Sequence, residues 1–157
     1  MVSEDTIVSD VFSTIFDILN SNAYQATDSA GDTVTLSKTD SGNYWTGSFP
    51  RRRIKDKSIY PIGVINTPEF SEDIRGFRWT EQPTTTRIAV HATRSEHPPL
   101  FAQKALKSLR DNISNLEDEG LNKLETGRST ADQTVRGDLQ IHTYIIPIEL
   151  TYNFEVS

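Results

Sequence analysis

Tyr144-Ile145-Ile146-Pro147-Ile148-Glu149-Leu150-Thr151-Tyr152-Asn153-Phe154 is the stretch whose reading decides the fold. Tyr144, Ile146, Ile148, Leu150, Tyr152 and Phe154 take every second position, and the residues between them are mostly polar. A period of two sustained this far predicts a long β-strand with one face buried. Leu139 and Ile141, just upstream, are apolar at odd positions, out of phase with the rest. Either a β-bulge near Thr143 or burial of both faces at the strand's start reconciles the two halves.

Such a strand needs a cover, and two amphipathic segments supply one. Over residues 4–20, Val8, Val11, Phe12, Ile15, Phe16 and Leu19 fall on one helical stripe. Glu4 and Asp5 sit where a helix N-terminus favours negative charge. The second helix is predicted over 98–118, with Pro98 in its first turn and a stripe of Phe101, Ala102, Ala105, Leu106, Leu109, Ile113 and Leu116. It is expected to stop near Gly120, with a further helical turn over 121–126.

Working further outward, 84–93 reads as a second long strand, with Ile88, Val90 and Ala92 on one face and Arg87 and His91 on the other. Tyr60–Ile65 reads as a strand with Pro61 at its start or on an edge. Short strands are expected at Thr33–Ser37 and Tyr44–Phe49, joined as a hairpin through Thr39-Asp40-Ser41-Gly42-Asn43. Residues 68–82 form a polar excursion carrying Phe70, Phe77 and Trp79, and 126–138 reads as a mobile loop. These elements predict a single α+β domain over 1–157: one mostly antiparallel twisted sheet with two helices packed on one face. The other face and the sheet edges are then partly open, and open edges invite assembly.

Composition narrows the function. The chain has no cysteine, which excludes disulfides, thiol catalysis and Cys-type zinc sites. Sixteen Lys and Arg against 22 Asp and Glu leave a net charge of −6, the wrong sign for a general nucleic-acid binder. No apolar run approaches the roughly 18 residues of a membrane span, and the acidic start, Met1-Val2-Ser3-Glu4-Asp5, is unlike a leader. His91, His97 and His142 lack metal-site spacing, although His91 and His142 lie in strands that could bring them together. No nucleophile elbow, P-loop or dinucleotide fingerprint occurs, so neither enzyme activity nor a cofactor is expected.

Two features remain as candidate sites. Arg51-Arg52-Arg53-Ile54-Lys55-Asp56-Lys57 is the basic cluster of the chain. It reads either as a solvated loop rim or as a contact for an acidic surface or for DNA phosphates. A protein partner fits better, because too few positive charges are present for strong DNA affinity, and any DNA contact is incidental. Phe70, Phe77 and Trp79 read either as aromatics tacking a loop to the core or as an interface patch. Arg51, Arg52, Arg53, Phe77 and Trp79 are the interface candidates.

One arrangement of elements carries a resemblance. Ile7-Val8-Ser9-Asp10-Val11-Phe12 opens an N-terminal helix, and a variable hairpin region follows. Tyr60-Pro61-Ile62-Gly63-Val64 leads to Arg87-Ile88-Ala89-Val90, then to the helix with Ala105-Leu106-Lys107-Ser108-Leu109, and finally to the strand Tyr144-Ile145-Ile146-Pro147-Ile148. In length and order this resembles the tail-terminator (tail-completion) proteins from the neck of tailed bacteriophages and archaeal tailed viruses. The resemblance implies a structural virion protein, assembled in the host cytoplasm. It implies a ring of copies of itself, expected as a hexamer, capping the tail tube and offering a surface to a head-completion or connector protein. A ring needs a heterologous interface that closes by rotation. The alternatives are a head–tail connector or head-closure ring and, from a different class, a cellular α+β binding module.

Overall fold

The computed structural model describes residues 7–21, 24–39, 42–66, 69–70, 73–75 and 79–155, with side chains for 11–21, 24–39, 42–66 and 85–151. In chain order the elements are α1 (Ile7–Asn20), β1 (Gln25–Thr27), β2 (Thr33–Thr35), β3 (Trp45–Thr46), two 3-10 turns (Arg51–Arg53 and Lys57–Ile59), β4 (Ile62–Ile65), β5 (Glu69–Phe70), β6 (Asp73–Arg75), β7 (Trp79–Ala92), α2 (His97–Asp111), α3 (Ile113–Asp118), β8 (Leu121–Thr126), β9 (Thr130–Arg136) and β10 (Leu139–Glu155). The fold is α+β with a mostly antiparallel sheet, as the alternation and the two apolar stripes require.

Two long hairpins lie side by side. In one, β4, β5 and β6 pair in succession along β7. In the other, β8 and β9 pair in succession along β10. β7 and β10 join the two hairpins in an unbroken register from Ala92↔His142 to Trp79↔Glu155. β3 lies outside β4 and is parallel to it, while β1 and β2 form a separate two-stranded sheet.

Side chains alternate across the sheet. Ile88, Val90, Ile146, Ile148 and Leu150 face the helices and share one core with Val11, Ile15, Leu19, Phe101, Leu109 and Leu116. Leu139 and Ile141 point the other way. There they pack with Ile59, Tyr60 and Ile62, flanked by Phe49 and Ile54. The phase change along β10 is neither a bulge at Thr143, since the register with β7 and β9 does not shift there, nor burial of both faces, since Gln140 is exposed: the covered face changes from the second one at Leu139 and Ile141 to the helical one from Ile146 onward. The chain between β3 and β4 folds across that end of the second face. Pro61 lies just before β4, where its missing N–H breaks no ladder bond.

Five expectations are corrected. Residues 68–82 are not an excursion from the sheet, since β5, β6 and the start of β7 lie within them and pair there. The second helix is two, broken at Asn112, whose side-chain amide takes the Ser108 carbonyl at 2.8 Å, the acceptor a continuous helix would use for the backbone N–H. Residues 121–126 are strand β8 and not a helical turn, because Gly120 at φ +108° turns the chain out of the helix. Residues 126–138 are largely strand β9 and not a loop. β9 is an edge strand wetted on both faces, so its side chains carry no alternation, and backbone pairing to β10 holds it. Finally, β2 pairs with β1 and not with the segment around β3, which instead joins β4 in parallel.

Candidate functional site

The second sheet face carries the candidate site. Val64, Ala89, His91 and Ile145 floor a groove of about 900 Å³, and Gly47–Pro50 with the Arg51–Arg53 turn form its wall. Arg87 also lines it, on the same face as His91 by alternation along β7. The fold thus places three of the expected interface residues, Arg51, Arg52 and Arg53, beside a fourth arginine 34 positions further along the chain.

The wall is knitted by its own bonds. Arg53 Nη2 lies 3.1 Å from Asp56 Oδ2. Asp56 Oδ1 accepts from the Ser58 N–H at 2.9 Å and from the Ser58 hydroxyl at 2.6 Å, capping the second 3-10 turn. These bonds, the Ser58 hydroxyl first, hold the Asp56 carboxyl below its usual range. The Tyr60 hydroxyl donates to the Ile54 carbonyl at 2.6 Å. Arg53 is thereby committed to Asp56. Arg51, Arg52 and Arg87 are exposed and have no ion-pair partner among the described residues.

His91 is the neutral part of the floor. Its ring meets Phe49 edge-on at 4.7 Å, and Nδ1 is 2.8 Å from the Thr143 hydroxyl. Burial pushes its pKa down to about 4, so it is uncharged at pH 7. The positive charge of the groove comes from the arginines alone. His142 does not join it: it pairs with Ala92, and alternation sends its side chain to the opposite face from His91.

A second polar cluster lies at the β1–β2 turn. Asp28, whose side chain is wholly buried, accepts from the Ala30 and Asp32 N–H groups through Oδ1, each at 3.0 Å. Its Oδ2 lies 3.2 Å from both His97 Nε2 and Arg94 Nη1. The Ser29 hydroxyl donates to Glu96. The bond with His97 is the main cause that lowers the Asp28 pKa, and the turn N–H groups and Arg94 act in the same direction. With both oxygens occupied and the histidine buried, the pair latches the hairpin to the start of α2. Asp28→Asn is expected to release that latch: a lower melting temperature and faster amide exchange over 25–35, with exchange in β7 and β10 unchanged. The latch strengthens folding above the usual carboxylate range and fails as pH falls through the lowered folded value.

Phe77 lies outside the described residues, and Trp79 opens β7 opposite Glu155 with its side chain outside them. No group of three or more metal-ligating side chains occurs among the described residues. Among them, too, no helix is long and apolar enough to cross a membrane. Arg87, Phe49 and His91 are the groove residues that sequence reading did not connect to Arg51–Arg53. Compared with known proteins, the chain matches no protein-family model, and no curated protein aligns with it significantly.

Proposed function

We propose that this chain is a structural subunit of the neck of a tailed virus, a ring-forming tail terminator that caps the tail tube and joins it to the head. The observation that carries the reading is the pair of long hairpins with an open flank. β8 and β9 pair with β10 on one side, and among the described residues nothing pairs with their other side. β9 is exposed over most of its length, and its Val135 is 63% exposed. A long uncovered edge is a template for another chain. The partly bare second face adds a surface for the same purpose. The partners proposed are further copies of the chain, expected as a hexamer, together with the tail tube protein and a head-completion or connector protein. The virion neck is the proposed location, after assembly in the host cytoplasm.

A head-closure ring would share the same architecture and would part from a terminator only in which neighbour it binds. A cellular binding module would be a single subunit. Light scattering after size exclusion, at low and high salt, is expected to give a discrete multimer, and negative-stain electron microscopy a closed ring. A single-subunit mass at every concentration and salt retires the ring and favours the module.

A further inference from the structure

The arginine groove has an electrostatic complement on the opposite side of the same molecule. Asp17 in the last turn of α1, with Asp118 and Glu119 at the end of α3, lines one shallow depression of about 440 Å³ between the two helices. None of the three has an ion-pair partner among the described residues. Glu117 is exposed beside them. Two helix C-termini converge here, and neither helix has a basic residue in its last turn. A helix C-terminus carries partial negative charge and favours cations, so carboxylates there repel the helix ends as well as one another. The corner thus presents a negative surface that a cationic one complements.

From these surfaces we infer that the groove bearing Arg51, Arg52 and Arg87 docks the Asp17–Asp118–Glu119 corner of a second copy of this chain. The inference rests on the ring reading and names its subunit contact. The groove lies on the sheet face turned away from the helices, and the corner lies in the helical layer. The contact is therefore heterologous: each copy gives one surface and receives the other, which propagates around a ring when the rotation closes. Two-fold self-pairing of either surface would set like charge against like. A DNA backbone is the poorer occupant, because three arginines neutralise few phosphates and the chain as a whole carries −6.

The test is a charge swap on the full chain, followed by sedimentation velocity and light scattering. Arg51→Glu/Arg52→Glu/Arg87→Glu is expected to weaken self-association at least about tenfold, and Asp17→Lys/Asp118→Lys/Glu119→Lys to do the same. All six substituted positions lie at the surface, and circular dichroism with a melting curve checks that each variant folds. An equimolar mixture of the two triple variants offers an unaltered contact, arginine groove on acidic corner, and an inverted one, glutamate groove on lysine corner, and is expected to restore assembly with the two variants alternating. One chain carrying all six changes is expected to recover assembly through the inverted contact. Association should also weaken as salt rises, since exposed charges are screened beyond about 10 Å at 0.1 M and about 3 Å at 1 M. If the wild type assembles and neither triple variant alters it, this contact is wrong while the ring stands. If the wild type never assembles, both fall. Retention of a short DNA duplex through the same arginines, with assembly unmoved, overturns the contact in favour of nucleic acid.

Discussion

Trp45→Ala is expected to cost about 3–5 kcal/mol, a large part of the about 5–15 kcal/mol that holds a typical domain. Trp45 is wholly buried in the main core. Its backbone is clamped by Asn20 at the end of α1: the Trp45 N–H donates to Oδ1 at 2.7 Å, and Nδ2 donates to the Trp45 carbonyl at 3.3 Å. Tyr24 meets its ring edge-on at 5.8 Å. On the β4 side the ring lies against Gly63, where an added Cβ would come within 2.6 Å of it. One side chain thus joins α1, the start of the β1–β2 unit and the edge of the large sheet.

The geometry also fixes a coupling. Gly63→Ala alone is expected to cost about 1–3 kcal/mol by forcing the indole aside. In the Trp45→Ala background the same change meets empty space, and its penalty should vanish, a non-additivity expected of residues in direct contact. Urea unfolding of the four proteins of this cycle measures it. Equal penalties for Gly63→Ala in both backgrounds would remove Trp45 from that position. The indole Nε1 has no hydrogen-bond partner among the described residues, so Trp45→Phe should lose less than the lost volume alone implies.

Acid is expected to remove about 3 kcal/mol of stability between pH 6.5 and 4 through His91 alone. The folded pKa is about 4 because burial under Phe49 excludes the charged form, while the unfolded chain titrates near 6.5. Between these values the unfolded state holds a proton that the folded state lacks, so stability rises with pH across the window. It is complete above 6.5 and no longer changes below 4. His91→Gln keeps a polar partner for the Thr143 hydroxyl but does not titrate. Its stability should be nearly flat over the window, as urea midpoints at several pH values will record. Asp28 and Asp56 act in the same direction but lower, since both carboxyls are held below their usual range. A wild-type-like slope in His91→Gln between pH 6.5 and 4 would assign the effect elsewhere.

The fold was legible wherever one side of an element is dry. β10, the 88–92 part of β7, α1 and the stripe of α2 all announce themselves by period, because burial selects their apolar positions. Legibility failed where side chains carry no burial signal. β9 is wet on both faces, so a strand reads as a loop. Asn112 breaks a helix by a side-chain bond that a stripe running past it conceals. The pairing of β2 with β1 depends on Asp28 gathering two turn N–H groups, a local bond pattern that a distant Ser-Gly turn overshadowed. The candidate site was half legible. The run Arg51–Arg53 is plain in the sequence, but Arg87 joins it only through the β4–β7 register and the fold of 47–60 across the sheet. The acidic corner joins the ends of two helices about a hundred residues apart.

The placement of β10 has a consequence for synthesis. It is the seam between the hairpins, and among the described residues it follows every strand it joins. While a ribosome is still making residues 139–155, the inner border of β7 has no mate, and the apolar side of both helical stripes lacks half its floor. A nascent chain in that state presents an unpaired β-ribbon to its neighbours on the polysome, the condition under which wrong partners pair. Closure of this sheet therefore waits on the seventeen residues of β10, and chaperone engagement with the open border of β7 should cease once that strand is in place.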